Sequence, residues 1–101
     1  VIYFIQDSTT LAIKIGHAKS DIDGRRRQLQ TGNPSPLVVV WCMAGDEGTE
    51  YRLHRQFAAD RLSGEWFRPS PALLAWLMSE ATLYGRHSAI ADMEARYAST
   101  T

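Results

Sequence analysis

Between Ile13 and Pro34 the chain reads as the end of a strand, a bare Gly16, a capped turn and a short helix carrying Arg25, Arg26 and Arg27. A strand that delivers the Lys14 ammonium and a helix that delivers guanidinium groups to one place form a layout for gripping a phosphate. The planar fork of an arginine matches phosphate oxygens, and an ammonium adds a compact charge. Farther along, Glu50, Leu53, His54, Phe57 and Arg61 recur at helical steps, which sets a carboxylate and an imidazole on an apolar stripe. A carboxylate there is costly to bury unpaired, so Glu50 needs a metal ion, an arginine or a hydrogen-bond donor.

The elements that must position these groups are short. Val1 to Asp7 and Leu11 to Ala18 are rich in β-branched and aromatic residues, and Ser8-Thr9-Thr10 between them suits a hairpin turn. A loop centred between Ser8 and Thr9 pairs Tyr3 with Lys14, Ile2 with Ile15 and Phe4 with Ile13. One face is then apolar, while the other sets a phenol and an ammonium side by side next to Gly16. Ser20 or Asp21 caps a helix running to about Gln30, with Ile22 and Leu29 on one face, Arg25 and Arg26 flanking it, and Arg27 pointing elsewhere. Thr31 to Pro36 turns the chain, and Leu37 to Ala44 is an unbroken apolar run that reads as the buried central strand. A helix is expected from Thr49 to about Leu62, then a turn at Ser63-Gly64 and the adjacent aromatics Trp66 and Phe67. Pro71 opens a further apolar helix to Tyr84, and a weaker amphipathic one is expected over 88–97. The fold class is therefore α+β: a small, mainly antiparallel three-stranded sheet at residues near 1–7, 11–17 and 37–44, flanked by helices.

Composition bounds the possibilities. A chain of 101 residues with zero formal charge is one domain without a global basic field, so any anion site is local. The single cysteine, Cys42, excludes an internal disulfide framework; among apolar neighbours it reads as a core filler, and an intracellular home is expected. No apolar run is long enough to span a bilayer, so no membrane partner is expected. Because the chain opens at Val1 already inside a strand pattern, we expect a domain trimmed from something longer.

Taken in order, these pieces resemble the GIY-YIG nuclease superfamily, and within it the phage-associated branch that includes the meiotically up-regulated-gene proteins. The residues that carry the resemblance are Val1-Ile2-Tyr3-Phe4-Ile5, then Ile13-Lys14-Ile15-Gly16. Arg25 follows with Leu29-Gln30-Thr31-Gly32-Asn33-Pro34, then Glu50 with Leu53-His54 and Phe57, and finally Gly64-Glu65-Trp66-Phe67. They cover residues 1–75, the expected nuclease core, with 76–101 a C-terminal helical extension of the same domain. The chain departs from the superfamily pattern in four respects, the last a longer gap after Gly16. Its first motif lacks the glycine, Lys14 stands where a second tyrosine is usual, and the terminal asparagine has no counterpart. One extra residue between Gly16 and Arg25 leaves both Arg25 and Arg26 as phosphate ligands, although the spacing to Leu29 favours Arg25.

The resemblance implies a divalent-metal-dependent endonuclease that hydrolyses phosphodiester bonds in DNA. Hydrolysis needs an oriented water, a proton acceptor and positive charge on the developing oxyanions. By resemblance, Tyr3 orients or deprotonates the water; a phenol has a pKa of about 10, which the Lys14 ammonium beside it would lower. Lys14 itself is the alternative base. Arg25 would hold the phosphate, Glu50 would anchor a single Mg²⁺ or Mn²⁺, and His54 would contact the leaving group or phosphate. Gly16, His17, Lys19, Arg26 and Trp66 are the expected substrate contacts, and a further DNA-binding domain or a homodimer partner would supply specificity. Three other readings stay open. They are a degenerate module that binds nucleic acid without cutting it, a pure interaction module, and a zinc site built from Glu50, His54 and His17.

Overall fold

The structure, a computed structural model, describes residues 1–84, with side chains through Glu80. The helix expected over 88–97, and the part of the C-terminal extension beyond Tyr84, lie outside the described residues. Strand β1 (Ile2–Asp7) and strand β2 (Ile13–His17) form the hairpin, followed by helix α1 (Ile22–Thr31), strand β3 (Leu37–Met43) and helix α2 (Glu47–Gln56). A 3₁₀ turn (Ala58–Asp60) then leads into a small hairpin of β4 (Arg61–Ser63) and β5 (Trp66–Phe67), and α3 (Pro71–Tyr84) follows. Every pairing is antiparallel, in the order β3-β1-β2-β5-β4. The class is α+β as expected, but the described residues form five strands rather than three.

Two elements differ from expectation for identifiable reasons. The apolar run Leu37–Met43 is an edge strand paired only with β1, not the central one. It is apolar because both of its faces are covered. A bulge opposite Phe4 and Ile5 turns Val40 and Trp41 into the same core, while Leu37 and Val39 pack against the opposite face of the sheet. Helix α2 stops at Gln56 rather than near Leu62, because the chain after Phe57 is pinned elsewhere. The Asp60 carboxylate accepts from Ser70 Oγ at 2.7 Å, and the Asp60 carbonyl accepts from Arg68 N at 2.7 Å.

The hairpin register is also shifted. Tyr3 stands opposite Gly16 and Ile5 opposite Lys14, two residues from the expected pairing. The Asp7 side chain causes this. Its Oδ1 accepts from Thr9 N at 2.8 Å and Thr10 N at 3.0 Å, while Asn33 Nδ2 donates to Oδ2 at 3.3 Å. The turn thereby covers four residues, Ser8 to Leu11, centred one residue later than expected, with Leu11 in a left-handed conformation at φ 65°. Burial pushes the Asp7 carboxyl upward, but these donors outweigh it and hold its pKa below the ordinary value. A shift of two residues preserves every face. Ile2, Phe4, Ile13 and Ile15 pack with Leu53 of α2, Phe57 just past its end, and Leu73 and Leu77 of α3, while Tyr3 and Ile5 pack with Ile22 and Leu29 from α1. Tyr3 and Lys14 therefore remain on one face.

Gly16 is required where it stands. A Cβ built there would lie 2.3 Å from the Tyr3 ring and hydroxyl, so the phenol crosses the space a side chain would fill. Tyr3 is 1% exposed and has little room to yield. Gly16→Ala is therefore expected to destabilise the domain by about 1–3 kcal/mol, the usual cost of overpacking. Gly32→Ala, with nothing within 4 Å, is expected to fall within about 0.5 kcal/mol of the parent. Equal urea midpoints for the two variants would show that the Tyr3 ring is not wedged over Gly16.

Candidate functional site

Helix α1 aims one of its three arginines at the sheet. Asp21 is the N-cap, in a left-handed conformation, with its side chain accepting from Gly24 N at 3.0 Å. A Cβ at Gly24 would lie 2.2 Å from that carboxylate, so the helix-weakening glycine makes space for the cap. With the first turn fixed, Ile22 and Leu29 face the sheet, and Arg25, half-buried, extends along that side. Its Nε donates to Tyr3 Oη at 3.3 Å and its Nη1 to Gln28 Oε1 at 3.2 Å. Arg26 Nε instead donates to Asp23 Oδ1 at 3.1 Å, and Arg27 also pairs with Asp23 on the exposed side of the helix. The geometry thus separates Arg25 from its two neighbours.

A second group of side chains gathers where β5 ends alongside β2. Trp66 and Phe67 pair with Lys14 and Ile13, and one residue earlier Ile15 N donates to the Glu65 carbonyl at 3.0 Å. Lys14 is 8% exposed; its Nζ lies 2.9 Å from Glu65 Oε1 and 5.7 Å from the centre of the Trp66 ring. From the other face, α2 presents Glu50 and His54, with Asp46 and Thr49 forming a reciprocal cap at its start. His54 Nε2 lies 2.8 Å from the Ile15 carbonyl, and the imidazole stacks edge-on against Phe67 with ring centres 5.0 Å apart. A carbonyl oxygen can only accept, so Nε2 carries the proton. Glu50 Oε1 is 3.7 Å from the same nitrogen.

The two glutamates share this corner and perturb each other. Burial, then a hydrogen bond and like charge from Glu65, push the Glu50 carboxyl up to about 7. Burial also lifts Glu65, but the protonated Glu50 and the Lys14 ammonium outweigh it, and Glu65 sits below the ordinary glutamate range. With the Lys14 ammonium beside it, Glu65 keeps its charge more readily than Glu50. Glu65 also joins this corner to the first group. The Arg25 guanidinium is held more basic than usual by the Tyr3 hydroxyl and, to a smaller extent, by the Glu65 charge.

Among the described residues, the cluster with metal-ligand spacing is Glu50, His54 and Glu65, whose ligand atoms lie within 4.8 Å of one another. Hard carboxylate oxygens suit Mg²⁺ or Mn²⁺, so Glu50 fits the expected role; His54 holds its backbone contact only while Nε2 stays protonated. His17 shares a face of β2 with Ile13 and Ile15 but does not belong to the cluster, so the alternative zinc trio of Glu50, His54 and His17 does not assemble. Nor does Glu50 pair with Arg25; its neighbours are Glu65, His54 and Lys14. Lys19 is exposed beyond the end of β2, and Trp66 is half-buried beneath the Lys14 ammonium.

Glu65 is the residue that sequence reasoning left without a role. The pairing of β5 with β2 brings it to Lys14, and no periodicity in the sequence signals that pairing. Gln30 and Asn33, quoted only as part of a motif, turn out to clamp the chain. Gln30 Nε2 donates to the Asn33 and Ser35 carbonyls at 3.2 and 2.8 Å, and its Oε1 accepts from Leu37 N at 2.8 Å. None of the described helices is long and apolar enough to cross a membrane. No protein-family model, no curated protein and no solved structure matches this chain.

Proposed function

We propose that the domain is a divalent-metal-dependent endonuclease of GIY-YIG type that hydrolyses phosphodiester bonds in DNA. The observation that carries this reading is the pairing of Lys14 with Glu65, which clusters with Glu50 and His54, in a sheet whose Tyr3-bearing face also receives Arg25, hydrogen-bonded to the phenol. A purely structural corner has no need to crowd Glu50 against Glu65, an arrangement that raises one carboxyl to about 7.

In this reading the half-buried Arg25 meets the scissile phosphate first, because Tyr3 is only 1% exposed. Its fork holds two phosphate oxygens and its Nε keeps contact with the phenol. Tyr3 orients the attacking water and takes its proton, and the Lys14 ammonium on the same face of the sheet favours the charge that builds on the phenol oxygen. A hard cation held through Glu50, when bound, supplies Lewis-acid stabilisation of the leaving oxygen. His54, fixed by the Ile15 carbonyl, stands one helical turn away and keeps its Nδ1 side for a phosphate or leaving group.

The wild-type domain is expected to nick or linearise plasmid DNA in Mg²⁺ or Mn²⁺ and to be silent in EDTA. Cleavage undiminished by EDTA would remove the metal from the reading. DNA binding without cleavage of any DNA form would replace the nuclease by a binding module of the same fold.

A further inference from the structure

We propose that Glu65 is a positioning residue of this site, acting through Lys14: it fixes the ammonium on the face of the sheet that carries Tyr3. The inference rests on the nuclease reading. A lysine head on four rotatable bonds would otherwise sample many directions. Here the Trp66 ring lies 5.7 Å from it and Glu65 Oε1 2.9 Å from it. Both holders are themselves rigid. Trp66 is paired with Lys14 in the ladder, and the Glu65 carbonyl accepts from Ile15 N at 3.0 Å, so the carboxylate is referenced to the strand that bears the lysine.

Two further observations favour this role over that of a metal ligand. One oxygen of Glu65 is already neutralised by an ammonium that is 8% exposed, and a divalent cation brought to the same carboxylate would face that ammonium across a short gap. Removing Glu65 would also leave Lys14 as a mostly buried charge without its carboxylate, a state that proteins avoid. The pair thus acts as a unit, with Glu65 needed only because Lys14 is there.

The experiment is a double-mutant cycle of Glu65→Gln and Lys14→Met, two substitutions that preserve side-chain size. Initial rates of supercoiled-plasmid nicking give kcat and KM, and Mn²⁺ affinity is read by electron paramagnetic resonance. Glu65→Gln is expected to lower kcat about 10–100-fold with KM within about twofold, and to leave Mn²⁺ affinity within about threefold. The double variant is expected to be no slower than Lys14→Met alone. Multiplying losses in the double variant, or loss of Mn²⁺ binding in Glu65→Gln, would overturn the assignment, because Glu65 would then act independently or as a ligand. A wild type that cuts beside a Glu65→Gln variant that cuts equally well would overturn the assignment alone. A wild type that cuts no DNA would overturn the nuclease reading and the assignment with it.

Discussion

Arg25→Ala is expected to abolish cleavage, by at least about 10³-fold in kcat, while leaving the domain folded. The magnitude follows from what one well-placed guanidinium contributes to phosphoryl chemistry, about 10³–10⁵ in rate. Arg25 is the arginine of α1 that turns toward the sheet, and its Nε donates to the Tyr3 hydroxyl at 3.3 Å. Its replacement removes the donor to the phenol and, in the proposed mechanism, the phosphate clamp. The half-buried Arg26 and the exposed Arg27 both pair with the exposed Asp23, where ion pairs contribute about 0–1 kcal/mol. Arg26→Ala and Arg27→Ala should therefore fold and cut normally at low salt, each weakening DNA binding modestly and flattening its salt dependence. Arg25→Lys separates charge from geometry. It keeps the cation but loses the fork, and should recover binding far better than rate. An active Arg25→Ala beside a dead Arg26→Ala would move the phosphate ligand one residue along the helix.

Much of this arrangement was legible because it depends on periodicity. The alternation of Ile2, Phe4, Ile13 and Ile15 fixed which face of the hairpin enters the core, and a register error of two residues left that assignment intact. The spacing of Ile22 and Leu29 likewise oriented α1, with Arg25 and Arg26 both flanking that line and Arg27 pointing elsewhere. What periodicity does not carry was misread. The Asp7 side chain, by accepting from two turn amides, chose where the loop is centred, and no pattern of apolar residues encodes that choice. Continuous apolar character marked Leu37–Met43 as covered on both faces but could not distinguish a central strand from an edge strand sheltered by helices.

The hairpin of β4 and β5 was missed for a different reason. Arg61, Leu62 and Ser63 are exposed, Arg61 and Leu62 continue a helical pattern, and Asp60, tied to Ser70 and Arg68 farther along the chain, turns them into the strand instead. Glu65 followed from that omission. Without β5 beside β2, nothing in the sequence brings residue 65 to Lys14, and the site appeared to hold one carboxylate instead of two.

Glu50→Gln is expected to remove cutting by several orders of magnitude while DNA binding is retained. The amide keeps the size and hydrogen bonding of the side chain but not the charge that would hold a cation. The same substitution makes a second, independent prediction about stability in the absence of metal. Glu50 has an ordinary value near 4.5 and is pushed up to about 7 in the folded protein. A carboxyl whose pKa is raised on folding contributes most below its unfolded value, and that contribution is lost as pH rises through the folded one. The parent should therefore lose stability relative to Glu50→Gln as pH climbs from about 4.5 to about 7. Above that window the variant should melt higher than the parent, and below about pH 4.5 the two should converge. Adding Mn²⁺ at pH 8 should raise the melting temperature of the parent and leave that of the variant unmoved, since an ion bound only by the folded state stabilises it by mass action. A Glu50→Gln variant that cuts normally would make Glu50 structural. Equal melting temperatures at pH 8, with no Mn²⁺ response in the parent, would further mean that the carboxyls of Glu50 and Glu65 are not held against each other as the geometry requires.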